Sequence, residues 1–146
     1  MCAWCVADSN FLGFYFYMHT NSYLSRHFSI WRDAEQLMVQ TEQAVRQFSR
    51  YHKYNLGQDL RKLAKQVLSY VTHAINQKAR RCHWVERLVL VIDELKLNIQ
   101  VAKTLSVFAS FKVFEQLARL AVAVSRQAMA WQKKLQGGTA SRGRAL

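Results

Sequence analysis

Residues 114–135 read FEQLARLAVAVSRQAMAWQKKL, and this stretch decides the fold. Its apolar side chains recur at alternating intervals of three and four residues, which places them along one side of an α-helix. The members of this stripe are Phe114, Leu117, Ala121, Val124, Ala128, Trp131 and Leu135. The pattern predicts a long amphipathic helix that packs against other helices. Ser110 is suited to cap its first turn, and Gly137 and Gly138 are suited to end it.

The composition of the whole chain also indicates an all-helical protein. The chain has no proline and five glycines, and neither residue type occurs between Gln58 and Gln136. A β-sandwich or an α/β fold needs turn residues across such a span, so both classes are excluded. Hydrophobic residues make up 51% of the 146 residues, which is enough for one core.

Three further helices are predicted over about residues 29–49, 56–76 and 81–105. Asn55 is the candidate N-cap of the second of these, and Gln58 completes a capping-box pattern. The inward residues are predicted to be Ile30, Ala34, Leu37, Thr41, Val45 and Phe48, then Leu56, Leu60, Leu63, Val67, Val71 and Ala74, then Trp84, Leu88, Val91, Leu95, Ile99 and Ala102. We therefore expect an all-α, antiparallel, up-down-up-down four-helix bundle over residues 25–136. A weakly ordered extension at 1–24 and a flexible basic tail at 137–146 are expected to flank it.

The cysteines and the N-terminal segment favour the cytoplasm. Cys2, Cys5 and Cys82 are an odd number, so no disulfide framework follows from them. The first ten residues contain no Lys or Arg, unlike a secretory signal, and the apolar run at 11–18 is too short to span a bilayer. Met18 is an alternative start of the native chain.

Nothing in the sequence indicates catalysis, a metal or a cofactor. Glu-x-x-His pairs, Gly-x-Ser-x-Gly, P-loop and dinucleotide-binding patterns do not occur, and the histidines are scattered. Cys2 and Cys5 could join Cys82 and His83 in a zinc site, but a pair of free thiols is the favoured interpretation. We expect a protein without enzymatic activity.

The charge favours an anionic partner. The formal net charge is +12, and residues 95–146 carry nine basic residues against a single acid, Glu115. Tyr51, Tyr54 and Trp84 lie among the basic residues of the predicted connectors, a combination that is typical of nucleic-acid-binding surfaces. The predicted contacts are Arg61, Lys62, Lys65, Lys78, Arg80, Arg81, Arg119, Arg126, Lys133 and Lys134. Since no base-reading motif is present, shape and charge are expected to dominate recognition.

Aliphatic residues beside the predicted stripes favour a homo-oligomer. The candidate interface residues are Leu90, Leu97 and Val101 in the third helix, and Val113 and Leu120 in the fourth.

Three segments resemble a bacterial four-helix family that includes the rRNA intervening-sequence proteins and the accessory variability determinant (Avd) of diversity-generating retroelements. Residues 51–60, YHKYNLGQDL, resemble the family's first interhelical turn, and residues 95–103, LKLNIQVAK, resemble its third helix. Residues 124–133, VSRQAMAWQK, are similar to its closing motif, Ile-Gly-Arg-Met-Leu-Gly-Gly-Trp-x-Lys. Arg126 and Trp131 match that motif, whereas Ser125, Met129 and Ala130 stand where the family has glycine.

The resemblance implies a non-enzymatic, homopentameric barrel that binds a reverse transcriptase and its template RNA, or the cDNA, in support of mutagenic cDNA synthesis. His52, Lys53 and Gly57 match the family's first interhelical turn. We expect Gly57 and Trp131 to have structural roles, and Arg126 to be either structural or RNA-binding. The alternatives are a ribosome-associated bundle and a protein-interaction bundle without a retroelement role. A role at a membrane surface is least favoured, because the apolar stripes are needed between the helices.

Overall fold

The computed structural model describes residues 23–24 and 28–142, with side chains described as far as Gly138. These residues contain helices and short connectors and no strand. Helix α1 spans Ser29–Arg46, α2 Arg50–Tyr54, α3 Leu56–Asn76, α4 Arg81–Thr104 and α5 Phe111–Arg142, with a 3₁₀ turn at Lys78–Arg80. The predicted all-helical bundle is confirmed, and α1, α3, α4 and α5 are its four long helices. Of the predicted weakly ordered extension at 1–24, residues 1–22 lie outside the described part of the chain, as do residues 25–27 and the last four residues. The side chain of Leu24 is buried in the core.

The four long helices surround one core. Contacts join α1 to α3, α3 to α4, α4 to α5 and α5 back to α1, so each long helix has two principal neighbours. The largest fully buried side chains come from all four helices and include Leu37, Leu60, Leu88, Leu95 and Leu117. Burying a leucine side chain contributes about 1.5–3 kcal/mol, so these contacts supply much of the drive for folding.

Polar contacts fix α1 against both of its neighbours. The indole of Trp31 is buried, and its Nε1 donates a hydrogen bond to Thr72 Oγ1 of α3 at 3.0 Å. On the opposite flank, Gln127 of α5 donates to Asp33 Oδ2 at 2.6 Å and accepts a hydrogen bond from Ser29 Oγ at 2.7 Å. Since polar groups that lose water on folding need a hydrogen-bond partner, these bonds favour one position of α1 relative to α3 and α5.

The stripe of α4 differs from the prediction at two positions. Val85 and Ile92 are buried, whereas the predicted Trp84 and Val91 are only partly buried. Helix α4 carries apolar residues on more than one side. Periodicity alone therefore does not decide whether Trp84 and Val91 or the residues that follow them, Val85 and Ile92, face the core. The other inward residues of α4 are predicted correctly, and in α1, α3 and α5 only residues at the ends of the stripes, such as Leu56 and Leu135, are partly exposed.

Two predicted helix ends are wrong in detail. Helix α3 begins where predicted, but the Asn55 side chain makes no capping hydrogen bond. Because α2 ends at Tyr54, Asn55 is a joint between two helices, and its backbone lacks the extended conformation that an N-cap needs. Helix α5 does not end before Gly137 but continues to Arg142, since glycine permits a left-handed turn without requiring one. Ser110 does cap α5, by accepting a hydrogen bond from the Val113 amide at 3.3 Å.

The connector from α4 to α5 begins with a left-handed turn at a serine. Ser106 has a φ of 53°, a conformation that usually favours glycine. Its amide donates to the Lys103 carbonyl at 2.9 Å, and the Val107 amide donates to the Ala102 carbonyl at 3.0 Å. This is the Schellman pattern, and it turns the buried Val107 back against the core.

The start of α3 lies very close to the end of α1. A β carbon added at Gly57 would lie 2.6 Å from Val45 Cγ1 and 3.2 Å from the His52 carbonyl oxygen. No side chain fits at this position without moving the backbone or Val45. The structural role that the family resemblance implies for Gly57 therefore has a geometric basis.

We expect Gly57→Ala to lower the free energy of unfolding by about 1–3 kcal/mol, because it overpacks the contact between α1 and α3. Urea denaturation followed by circular dichroism measures the change. Gly137→Ala is the matched control: it lies in a helix with no atom within 4 Å of the added methyl group. It should leave stability unchanged or raise it by up to about 1 kcal/mol. Equal stability of wild type and Gly57→Ala would contradict the close approach.

Candidate nucleic-acid interface

Helix α5 presents a row of basic side chains on its outer side. Lys112, Arg119, Arg126 and Lys133 are all exposed and follow one another at seven-residue intervals. At 1.5 Å per residue the row is about 30 Å long. Lys112 was not among the predicted contacts, although its seven-residue spacing from Arg119 was a signal that could have found it. We call these four residues the α5 row.

The α5 row is only weakly compensated by acids. Arg119 donates to Glu115 Oε1 at 2.8 Å, and this ion pair neutralises one of the four positive charges of the α5 row. Within the described residues, the other members of the row form no ion pair, and neither does the adjacent Lys134. Arg126, Lys133 and Lys134 therefore retain their full charge at the surface.

The turn between α3 and α4 contains three of the predicted contacts, Lys78, Arg80 and Arg81, and their roles differ. Arg81 donates from Nε to the Ala74 carbonyl at 2.9 Å and from Nη2 to the Ile75 carbonyl at 3.2 Å. A cation at this place satisfies carbonyls of the last turn of α3 and opposes its dipole. The guanidinium also lies 5.8 Å from the centre of the Trp131 ring, which brings the start of α4 against α5. Arg81 is thus chiefly structural, whereas Lys78 and Arg80 are exposed.

Trp84 is held by its neighbours and is not presented as a free ring. Its Nε1 donates to Gln77 Oε1 at 2.8 Å, and the His73 ring stacks on it at 4.6 Å between centroids. The Arg80 guanidinium lies 5.6 Å from the ring centre. This half-buried cluster anchors the turn, and Arg80 remains at its edge as an exposed cation.

The three predicted basic residues of α3 have different surroundings. Arg61 faces α1, where it donates to Glu42 Oε2 at 2.6 Å and to Oε1 at 3.2 Å. Lys62 lies toward α4 and lines a shallow hollow with Asp59 and Glu94. Lys65 is exposed and forms no ion pair with the described residues. Their spacing keeps the three residues close together along α3, but Arg61 is already paired with a carboxylate.

Two arginines lower the pKa of the Glu42 carboxyl. The hydrogen bond from Arg61 is the largest cause and lowers the pKa of this carboxyl, and Arg46, which donates to Oε1 at 3.3 Å, lowers it further. Because the folded state favours the ionised form, the stabilisation is present at neutral pH and is lost as the pH falls through the lowered pKa.

The predicted interface residues form two groups. Leu90 and Leu97 of α4 are 65% and 64% exposed, and Val101 on the same side is 42% exposed. Val113 and Leu120 of α5 are only partly exposed: Leu120 packs against the core, and Val113 lies beside α1. Leu105, Val122 and Met129 are exposed apolar residues that the sequence analysis did not select.

Within residues 23–24 and 28–142, no group of three or more His, Cys, Asp or Glu side chains is placed to hold a metal ion. No described helix is long and apolar enough to cross a membrane. No protein-family model matches the sequence, and no curated protein matches it.

We expect Arg61→Gln to raise the pKa of Glu42 and to lower stability by at most about 1 kcal/mol, since the pair is partly exposed. The loss should shrink on acidification, because protonated Glu42 no longer attracts Arg61. Carboxyl ¹³C NMR titration and urea denaturation at two pH values measure both effects.

Lys65→Gln, which removes one charge from the same helix, is the control for the pKa of Glu42 and should leave it unchanged. Because Glu42 pairs with Arg61, we expect Arg61→Gln to lower the affinity for nucleic acid less than Lys65→Gln does. Equal losses of affinity in the two variants would contradict this expectation.

Proposed function

We propose that this protein is a non-enzymatic accessory subunit of a diversity-generating retroelement, which binds the reverse transcriptase and its template RNA or cDNA in the cytoplasm. The uncompensated basic surface of α5 is the observation that carries this proposal. The resemblance of residues 51–60, 95–103 and 124–133 to the Avd family supplies the biological context.

Nucleic-acid binding follows from the physics of this surface. Each Lys or Arg that neutralises a phosphate releases a condensed counterion, so affinity falls steeply as salt rises. The cations stand on helices held by a packed core, so the surface needs little reorganisation to bind. Rigid presentation of RNA beside a polymerase is a function that such a scaffold performs without catalytic groups.

We also propose that the long helices run up-down-up-down. Ser29 and Asp33, at the start of α1, bond to Gln127 in the second half of α5. Gln47, at the end of α1, lines a hollow with Val113 in the first turn of α5. Opposite ends of the two helices therefore meet, which supports an antiparallel course.

The homo-oligomer that we propose uses the exposed apolar side of α4. Leu90, Leu97 and Val101 lie on this side together with the acids Glu86 and Glu94. The exposed Val122 and Met129 lie on α5 among the cations of the α5 row. An acidic apolar surface and a basic apolar surface on the same chain complement each other head to tail, and such contacts form a ring when the rotation between subunits closes. The family resemblance implies a ring of five.

We expect the triple variant Arg126→Ala, Lys133→Ala, Lys134→Ala to weaken RNA binding and to flatten its dependence on salt. If all three residues contact phosphates of a single strand, the slope of log K against log salt should fall by about 2. Fluorescence anisotropy with a labelled RNA at several salt concentrations measures this, and circular dichroism should show unchanged helicity.

The matched control for this triple variant is Arg32→Ala, Arg61→Ala, Lys96→Ala, which removes the same charge from cations that lie beside carboxylates and outside the α5 row. Its effect on affinity should be clearly smaller. Equal losses in the two triple variants would mean that only total charge matters, and a wild-type affinity indifferent to salt would refute the mechanism.

We expect Leu90→Gln, Leu97→Gln to shift the assembly to smaller species while leaving helicity intact, because glutamine is a good helix former that removes apolar contact area. Native mass spectrometry measures the assembly. The control is Met38→Gln, Val39→Gln, which changes two exposed apolar residues of α1. A wild-type monomer, or an assembly that both double variants leave intact, would contradict this interface.

A protein-interaction bundle without a nucleic-acid partner is the second candidate, and the exposed apolar side of α4 is the observation that favours it. A gene for a reverse transcriptase beside this gene, together with template and variable repeats, would support the retroelement role. Co-purification with ribosomal RNA in the absence of a reverse transcriptase would instead support the ribosome-associated alternative.

A further inference from the structure

The connectors 47–55 and 105–110 meet at one end of the molecule, which we call the connector end. Phe48, just after α1, contacts Phe108, just after α4, with ring centroids 5.5 Å apart in an edge-to-face arrangement. Aromatic pairs prefer this arrangement because the positive edge of one ring meets the negative face of the other. The two connectors are therefore one packed unit.

A chain of aromatic rings leads from the core to the surface of the connector end. Phe108 contacts Phe114 at 5.8 Å, and Phe114 contacts Phe111 at 5.6 Å. The first ring, Phe48, is 4% exposed and the last, Phe111, is 66% exposed. Phe111 is therefore held in place by the rings behind it while its outer part faces solvent.

Two tyrosines of the short helix α2 are also exposed at the connector end. Tyr51 is 73% exposed and Tyr54 is 66% exposed, and Tyr51 packs edge-on against His52 at 5.1 Å. Together with Phe111 they are the most exposed aromatic residues among residues 28–138. Three large rings that the core does not use, grouped at one end, indicate a binding surface.

The two connectors carry positive charge and no acid. The sequence has no Asp or Glu between Glu42 and Asp59, and none between Glu94 and Glu115. The cations of these two stretches are Arg46, Arg50, Lys53, Lys96, Lys103 and Lys112. The nearest acids are Asp59, in the first turn of α3, and Glu115, which bonds to Arg119. The Lys103 ammonium lies 4.8 Å from the centre of the Phe114 ring and 5.8 Å from that of Phe111. A cation thus lies directly beside the exposed ring.

We infer that the connector end binds single-stranded nucleic acid by stacking unpaired bases on Phe111, Tyr51 and Tyr54, while Lys53, Lys103 and Lys112 contact the phosphates. Exposed aromatic rings among cations are the usual platform for unpaired bases, since every base has a π face. Bases in a duplex already stack on one another and cannot reach the rings. The inference rests on the proposed function, and it adds that the protein distinguishes single-stranded from double-stranded nucleic acid.

The test compares a labelled 12-nucleotide oligo(U) RNA with an RNA duplex of the same length, by fluorescence anisotropy. We expect Phe111→Leu, Tyr51→Leu to weaken binding of oligo(U) by more than the 5- to 150-fold, roughly, that is lost for each stacked aromatic removed. Affinity for the duplex and the salt dependence should stay unchanged, because no charge is altered. Phe111→Trp keeps an aromatic face and should retain binding.

A matched control and a second readout separate stacking from a structural effect. Val39→Ala changes an exposed apolar residue of α1 and should bind oligo(U) like the wild type. The fluorescence of 2-aminopurine in the oligonucleotide should be quenched by the wild type and by Phe111→Trp, but not by the leucine variant. Lys103→Gln, Lys112→Gln should lower the salt dependence instead.

The outcomes distinguish the failure of this inference from that of the proposed function. Equal losses for oligo(U) and duplex in the leucine variant, or no loss for either, would overturn base stacking while leaving nucleic-acid binding in place. So would a variant that binds oligo(U) normally but has lost binding to phosphatidylserine vesicles, since the rings would then be serving a lipid surface. A wild-type protein that binds neither RNA would overturn the proposed function as well.

Discussion

Each of the four long helices buries one side against its two neighbours, and this packing determines which side chains remain outside. Since Leu37, Leu60, Leu88 and Leu117 meet in one core, the basic residues of every helix are displaced to the outer surface. A rigid interior then holds those cations at fixed separations, which a disordered basic tail could not do. The functional argument depends on this packing, although the packing by itself does not specify a ligand.

The cations of the outer surface fall into two groups, those that bond to an acid or a carbonyl group and those that do not. Arg61 and Arg46 share Glu42, Arg119 lies on Glu115, and Arg81 bonds to carbonyls at the end of α3. These cations serve the structure at least in part. Arg126, Lys133 and Lys134 have no such partner among the described residues, and exposed like charges without acids lower stability by mutual repulsion. Folding therefore does not account for these three cations, and the ligand that we propose would use them.

Periodicity was sufficient to predict the four long helices and most of the core, because a helix that faces one core has a single apolar side. It failed on α4, where apolar residues on a second side made Trp84 and Val91 look as good as Val85 and Ile92. It also failed at Asn55 and Gly137, because a capping residue or a glycine only permits a helix end, and the neighbouring helices decide whether one forms. The basic residues were identifiable from sequence, but their pairing was not: Arg61 and Lys65 look alike until α1 places Glu42 beside one of them.

The two kinds of contact proposed for the surface act over different distances. Charge along the α5 row attracts a polyanion over about 8–10 Å at moderate salt and cannot distinguish strands from duplexes. Stacking at Phe111 requires direct contact and an unpaired base. Because Lys112 belongs to the α5 row and is adjacent to Phe111, the row leads into the connector end. A nucleic acid held along α5 is thus brought to the rings, where only an unpaired segment gains the additional contact.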